Sequence, residues 1–167
     1  MAGALIVTAE LAHPDFSWLE GLRRAHFPPD RNHVPVHLTM FHALPPSAET
    51  ELRSRLAQIV RRRAPEAVIA GLMDLGGGVA FRVVSPDLDR IREELGDGLH
   101  GLLGAQDSGG WRPHITIQNK VTPKIARALK ESIERRFAQR PLGISGLAIH
   151  RYAGGHWEPV NEYAFRP

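Results

Sequence analysis

Apolar positions along this chain come in short blocks, each with a recognisable period. Residues 3–11, GALIVTAEL, form an apolar run bounded by Gly3 and Pro14, which predicts a buried strand. In residues 14–27, Phe16, Leu19, Leu22 and Ala25 recur near helical spacing, with Arg23 and Arg24 off that face. A proline-rich loop, 28–35, precedes a second strand over 36–44, VHLTMFHAL, which Pro45 and Pro46 end. Ser47 is placed to cap a helix whose Leu52, Leu56, Ile59 and Val60 form one stripe.

Residues 66–85 predict two strands turning at Gly76, Gly77 and Gly78. A phosphate-binding loop is excluded there, because no Lys-Ser or Lys-Thr follows and the next element is a strand. Ser85-Pro86 and Thr122-Pro123 are two helix starts of the same design, a capping hydroxyl followed by proline at the first helical position. The first precedes Leu88, Ile91, Leu95, Leu99 and Leu102; the second precedes Ile125, Leu129, Ile133 and Phe137. Between them lie a loop, 104–110, and a strand, 111–120. Residues 142–152 and 156–165 predict a closing hairpin around Gly154 and Gly155.

The succession helix, strand, helix, hairpin therefore occurs twice. It predicts an α+β fold of two lobes related by an approximate two-fold, each with an antiparallel sheet and outer helices, around a central cleft. The whole of 1–167 is expected to be one domain, with lobes built roughly from 1–85 and 86–167 and room for strand exchange between them.

Composition narrows the class. With 167 residues, 43% hydrophobic and 23% charged, the chain is long enough for a core and ordinary for a globular protein. Net charge is +3, with local clusters at Arg23-Arg24, Arg61–Arg63 and Arg135-Arg136. That tolerates anionic partners, although solvated helix surfaces account for each cluster alone. The absence of Cys excludes disulfides, thiol nucleophiles and thiolate metal sites. No apolar run reaches the roughly 20 residues of a membrane span, and no leader pattern opens the chain. A cytoplasmic monomer is the expectation.

The chemistry lies in a repeated tetrapeptide. His37-Leu38-Thr39-Met40 stands on the second strand of the first half, and His114-Ile115-Thr116-Ile117 on the corresponding strand of the second. Side chains alternate along a strand, so His37 and Thr39 share one face, as do His114 and Thr116, while the apolar residues face the core. If the two polar faces converge, one cleft holds two imidazoles and two hydroxyls. Two imidazoles suit proton transfer at both ends of a displacement, and hydroxyls suit non-bridging phosphate oxygens. By parity Phe41 lies on the His37 face, where it would stack on a base, and Gln118 and Lys120 continue the His114 face. His42 falls on the opposite face unless the strand ends or bulges.

The paired motifs resemble those of the two-histidine phosphoesterase superfamily, and RPHITI in particular resembles the second motif of its bacterial 2'-5' RNA ligase-like branch. The resemblance implies a bilobal fold and cofactor-free, metal-independent chemistry on RNA ends or cyclic nucleotides. Its typical reactions open a 2',3'-cyclic phosphate or form and break 2'-5' linkages. It carries His37 and His114 over as the acid–base pair, and Thr39 and Thr116 as phosphate ligands. The chain departs from the pattern after each motif: FHALPP stands where many relatives have an aromatic residue, Leu and Gly, and QNK where many have Arg. Those departures bear on the substrate more than on the chemistry. The rival readings are a module that binds RNA ends or nucleotides without turnover, a partner-binding protein whose motif faces are plain polar strand surfaces, and a metal hydrolase drawing on the nine histidines. Against the last, HExxH and H-x-H are absent and neither motif contains Asp or Glu.

Overall fold

The computed structural model describes residues 3–167. Strand β1 (Leu5–Leu11) leads into α1 (His13–His26), and β2 (Leu38–Leu44) into α2 (Glu49–Ile59). A hairpin of β3 (Ala67–Asp74) and β4 (Val79–Val84) follows. Next come α3 (Pro86–Gly98), a single turn α4 (Ala105–Ser108), β5 (His114–Gln118) and α5 (Pro123–Glu134). The chain ends in β6 (Arg140–Leu142), β7 (Ile144–Tyr152) and β8 (Trp157–Ala164). None of these helices is long and apolar enough to cross a membrane.

Local chemistry sets most boundaries. Ser85 caps α3 by accepting from the Leu88 amide at 3.1 Å while its own hydroxyl donates to the Glu66 carbonyl at 2.6 Å. Thr122 caps α5 from the Ile125 amide at 3.3 Å. Ser47 does not cap α2; it lies inside a 3-10 turn, Pro46–Ala48, and α2 starts with no side-chain cap. The glycines between β3 and β4 make the expected turn. Gly76 has φ of 82°, and a Cβ on Gly78 would stand 2.0 Å from the Gln118 carbonyl oxygen. The stretch expected as a loop at 104–110 contains α4, and a short strand, β6, adds to the second sheet.

The strands form two four-stranded antiparallel sheets, ordered β2-β1-β7-β8 and β5-β4-β3-β6. The order is the same in both if β2 is matched with β5 and β1 with β4, which is the two-fold relation. The lobes do not divide the chain at residue 85. The first sheet takes β1 and β2 from the beginning and β7 and β8 from the end, while the second is contiguous between residues 67 and 142. The strands that carry the repeated motif are thus edge strands in both sheets. Their apolar residues go where parity puts them: Leu38, Met40, Ile115 and Ile117 are fully buried.

A buried sheet edge must find partners for its backbone groups. An arginine from a helix outside the sheet serves each edge. Arg23 of α1 donates through Nη1 to the Thr116 carbonyl of β5 at 2.9 Å, and through Nε to Asn32 Oδ1 at 2.9 Å. Arg92 of α3 donates to the Met40 carbonyl of β2 at 3.0 Å and to the Asp107 carbonyl at 2.7 Å. Burial pushes both guanidinium pKa values down, without threatening a charge that needs far more to be lost. Arg23 is therefore not the solvated helix surface that the sequence suggests: it is 5% exposed and lies over the Phe27 ring.

Replacing Arg23 with Met is expected to lower stability by about 2–4 kcal/mol, because a charge-assisted bond is lost and the Thr116 carbonyl is left without its donor. Urea unfolding checks this against Arg24→Ala, whose side chain is 77% exposed and whose effect is expected within about 0.5 kcal/mol.

Candidate active site

Where the two edge strands approach, a cleft of about 370 Å³ opens between the lobes. His37, Thr39, His114 and Thr116 all line it. The expected four are thus gathered in one place, two from each lobe. His37 stands just before β2 and His114 opens β5, so both lie where the chain enters its sheet.

Both histidines are held in the same way. Nδ1 of His37 is 2.8 Å from the Pro35 carbonyl oxygen, and Nδ1 of His114 is 2.8 Å from the Arg112 carbonyl oxygen. A carbonyl only accepts, so Nδ1 carries the proton in each ring. That assignment leaves Nε2 as the unprotonated nitrogen of the neutral imidazole, free for the cleft. The carbonyl belongs to the residue two positions earlier in both motifs, so the sequence repeat fixes the tautomer as well as the ring.

The surroundings break this symmetry. Trp157 stacks obliquely beside His37, with ring centroids 4.5 Å apart and planes at 56°. His150 packs on the same indole at 5.3 Å, its Nε2 2.9 Å from the Thr8 hydroxyl. Burial is the main cause holding the His37 pKa down at about 4. The Pro35 carbonyl works in the opposite direction, while Arg23, His150 and His114 add to the depression. Burial also lowers the pKa of His150, against a smaller opposing pull from Glu162. His37 is accordingly neutral at pH 7 and ready to accept a proton.

Three sequence-derived contacts are not on the cleft. Phe41 is fully buried in the core, with the Arg92 guanidinium 4.7 Å from its ring centre. The reason is a bulge. Thr39 pairs with Thr8 and Phe41 with Val7, so two residues of β2 advance against one of β1. Beyond Met40 the alternation is reversed. Gln118 is 3% exposed for the same reason: Thr116 pairs with Ala80 and Gln118 with Val79. Its Oε1 is buried without a hydrogen-bond partner. Lys120 is exposed in the turn after β5, with φ of 63°, away from the residues that line the cleft.

The bulge that removes Phe41 brings in His42. It lines the cleft and is fixed by Asp107 of α4, whose Oδ1 accepts from the His42 amide at 2.8 Å and lies 3.3 Å from the ring Nδ1. Oδ2 of Asp107 accepts from the Ala43 amide at 2.9 Å. Burial alone would raise the Asp107 pKa, but these bonds to the charged carboxylate bring it below its ordinary value. Trp111, whose Nε1 donates to the Thr39 carbonyl at 3.1 Å, closes the cleft from the other lobe. Arg112 also lines it. In the sequence Trp111 and Trp157 read as stacking platforms or core aromatics and His150 as a surface histidine; their nearness to the two motifs in space is what singles them out. Arg82 and Arg151, candidate phosphate clamps by residue type, do not line this cleft, and Arg151 pairs with Glu49 at 2.6 Å. Among the described residues, no three His, Asp or Glu side chains are gathered closely enough to hold a metal ion.

Comparison with known proteins places this geometry. The sequence model of the 2'-5' RNA ligase superfamily matches residues 11–156, a span that contains both motifs. No curated protein sequence matches the chain significantly. Solved structures share the fold at low identity. TT0787 of Thermus thermophilus is 16% identical over 98% of both chains, with a TM-score of 0.65. A protein solved as a phosphoesterase is 16% identical over 100% of both, with a TM-score of 0.60. E. coli LigT complexed with NADP+ is 16% identical over 99% of both, with a TM-score of 0.56. Two four-stranded sheets arranged as in these proteins, and a family match across most of the length, leave one conclusion: the chain belongs to the 2'-5' RNA ligase superfamily.

Proposed function

We propose that this protein is a phosphodiesterase that acts on a 2',3'-cyclic phosphate RNA end or a 2'-5' linkage, by paired general acid–base catalysis. The observation that carries this reading is the matched tethering of His37 and His114. Each is bonded through Nδ1 to the carbonyl two residues back, and both line one cleft that also contains Thr39 and Thr116. Superfamily membership supports phosphoesterase or ligase chemistry. E. coli LigT, which shares the fold, has been solved with phosphate and with 3'-AMP, ligands of the class this reading requires.

In the scheme, the phosphate sits between the imidazoles with its non-bridging oxygens on the Thr39 and Thr116 hydroxyls. His37, neutral at pH 7, removes a proton from the attacking oxygen. His114 then gives a proton to the leaving oxygen, and the roles exchange when the reaction reverses. A 2',3'-cyclic phosphate would open to a monoester by water attack. A 2'-5' linkage would be cleaved, or formed, by the same exchange of oxygens at phosphorus. No step calls for a metal or a cofactor.

Turnover of 2',3'-cyclic nucleotides and 2'-5' dinucleotides should persist in EDTA. His37→Ala and His114→Ala should each lower kcat by about 10²–10⁴ with the fold intact by circular dichroism. Activity abolished by chelation and restored by Zn²⁺ would transfer the chemistry to a metal. Binding of nucleotides with no turnover of any of these substrates would make the protein a binding module.

The His37 pKa also dictates a pH profile. A general base works when deprotonated, so kcat/KM should fall as pH drops through about 4, instead of through the ordinary imidazole value near 6.5. An acid limb centred near 6.5 would remove His37 from that role. Stability carries the same signature. The unfolded chain protonates His37 near 6.5 and the folded chain near 4, so between those values the unfolded state binds more protons. Stability is therefore lost as pH falls through that window, by at most about 2 kcal/mol from pH 6.5 to 5. His37→Gln lacks this component, and urea unfolding at the two pH values should show a correspondingly smaller loss.

A further inference from the structure

A second cavity, of about 280 Å³, adjoins the cleft and shares two walls with it, His37 and Trp157. It lies over the same surface of the first sheet. Thr39 pairs with Thr8, Thr8 with Ala148, and Ala148 with Glu162, so these four share a row across the strands. Residues two positions along a regular strand share a face, which adds Glu10 and His150 to it. One continuous surface therefore runs from Thr39 to a pair of carboxylates, Glu10 and Glu162.

The cavity is built to hold something flat with N–H donors. Phe16 and Trp157 offer aromatic walls, and Thr8, Glu10 and Glu162 line it from the sheet. Among the described residues, neither carboxylate has a cation or N–H donor within bonding distance. Burial and the nearby Glu162 charge raise the Glu10 pKa, which is the condition of a carboxylate that would gain from donors. Ligand pockets for whole small molecules start at roughly 300 Å³, so this space suits a single base.

We propose that this cavity is a second nucleoside subsite, that it takes the base on the His37 side of the scissile phosphate, and that Glu10 and Glu162 select guanine there. A carboxylate accepts and cannot donate. Guanine alone presents two adjacent donors, N1–H and the 2-amino group, to one carboxylate. Adenine and cytosine pair one amino group with a lone-pair nitrogen, and uracil sets one N–H between two carbonyls. The inference rests on the phosphodiester reading for the placement of the phosphate, and it names the substrate class within it: a linkage with a nucleoside on each side.

The test is calorimetric titration of the intact protein with GMP, IMP and UMP, where IMP is GMP without the 2-amino group. GMP is expected to bind at least tenfold more tightly than IMP and UMP, because a site built for a donor rejects the analogue that lacks it. In Glu10→Gln/Glu162→Gln, GMP and IMP should fall within about threefold of each other, with IMP affinity near that of wild type. Equal affinities in the wild type, a preference that survives in the double variant, or no binding of any of the three would overturn the proposal. No turnover is involved. An inactive protein that still discriminates keeps this subsite and loses the phosphodiesterase reading; an active one that does not discriminate does the reverse.

Discussion

The cleft exists because two sheet edges are closed by polar groups from outside their own sheets. An edge strand presents unpaired carbonyls and amides, and burying them without partners costs more than most single contacts return. Arg23 reaches from α1 to β5, and Arg92 from α3 to β2. Asp107 takes two further amides of β2, and Trp111 caps the Thr39 carbonyl. These contacts do two things at once. They tie the lobes together, and they leave the four motif side chains lining one cleft. A cleft between two fully paired sheets would need no such ties, but its walls would be interior strands with no free rim. The chemistry sits at the rim because the rim is the part of a sheet that other groups can approach.

Sequence parity reads this arrangement well until the strands stop being regular. His37, Thr39, Leu38 and Met40 follow the rule, and so do their counterparts in the second motif, because two or three residues of extended chain leave no freedom. The rule then fails twice, at Phe41 and at Gln118, and the cause is the same: an extra residue against the neighbouring strand. Parity is a local property, whereas a bulge depends on pairing with a strand distant in sequence. His42 shows the cost of that ignorance. The sequence alone places it outside, and the bulge turns it into the cleft, where Asp107 fixes it from 65 positions away.

The lobe boundary was unreadable for a related reason. The repeat of helix, strand, helix and hairpin is visible in the chain, but a hairpin does not declare which sheet it joins. β7 pairs with β1, which the chain formed first, β8 pairs with β7, and β3 pairs with β6. What the sequence carries is the order of the longer elements and the two polar faces. What it does not carry is the set of contacts that close the two motif strands: Arg23, Arg92, Asp107 and Trp111. Arg23 illustrates the difference, since beside Arg24 it reads as half of a solvated pair.

The asymmetry of the two histidines follows from that crossing of the chain. Their motifs are alike, and each ring is tied to the carbonyl two residues before it. A symmetric pair would leave the direction of proton transfer to the substrate alone. Here the exchanged hairpin brings Trp157 and His150 against His37, whose pKa burial lowers. In the second sheet β3 stands where β7 does, and the outer position of β8 falls to β6, only three residues long. So the returning C-terminal segment gives His37 aromatic neighbours that the repeat alone would not supply. It also builds the neighbouring cavity on the His37 side, since Glu162, His150 and Trp157 all come from it. The surroundings of His37 and the candidate second subsite thus share one structural origin, the β7–β8 hairpin, whose outer strand is far longer than β6 at the matching place in the second sheet.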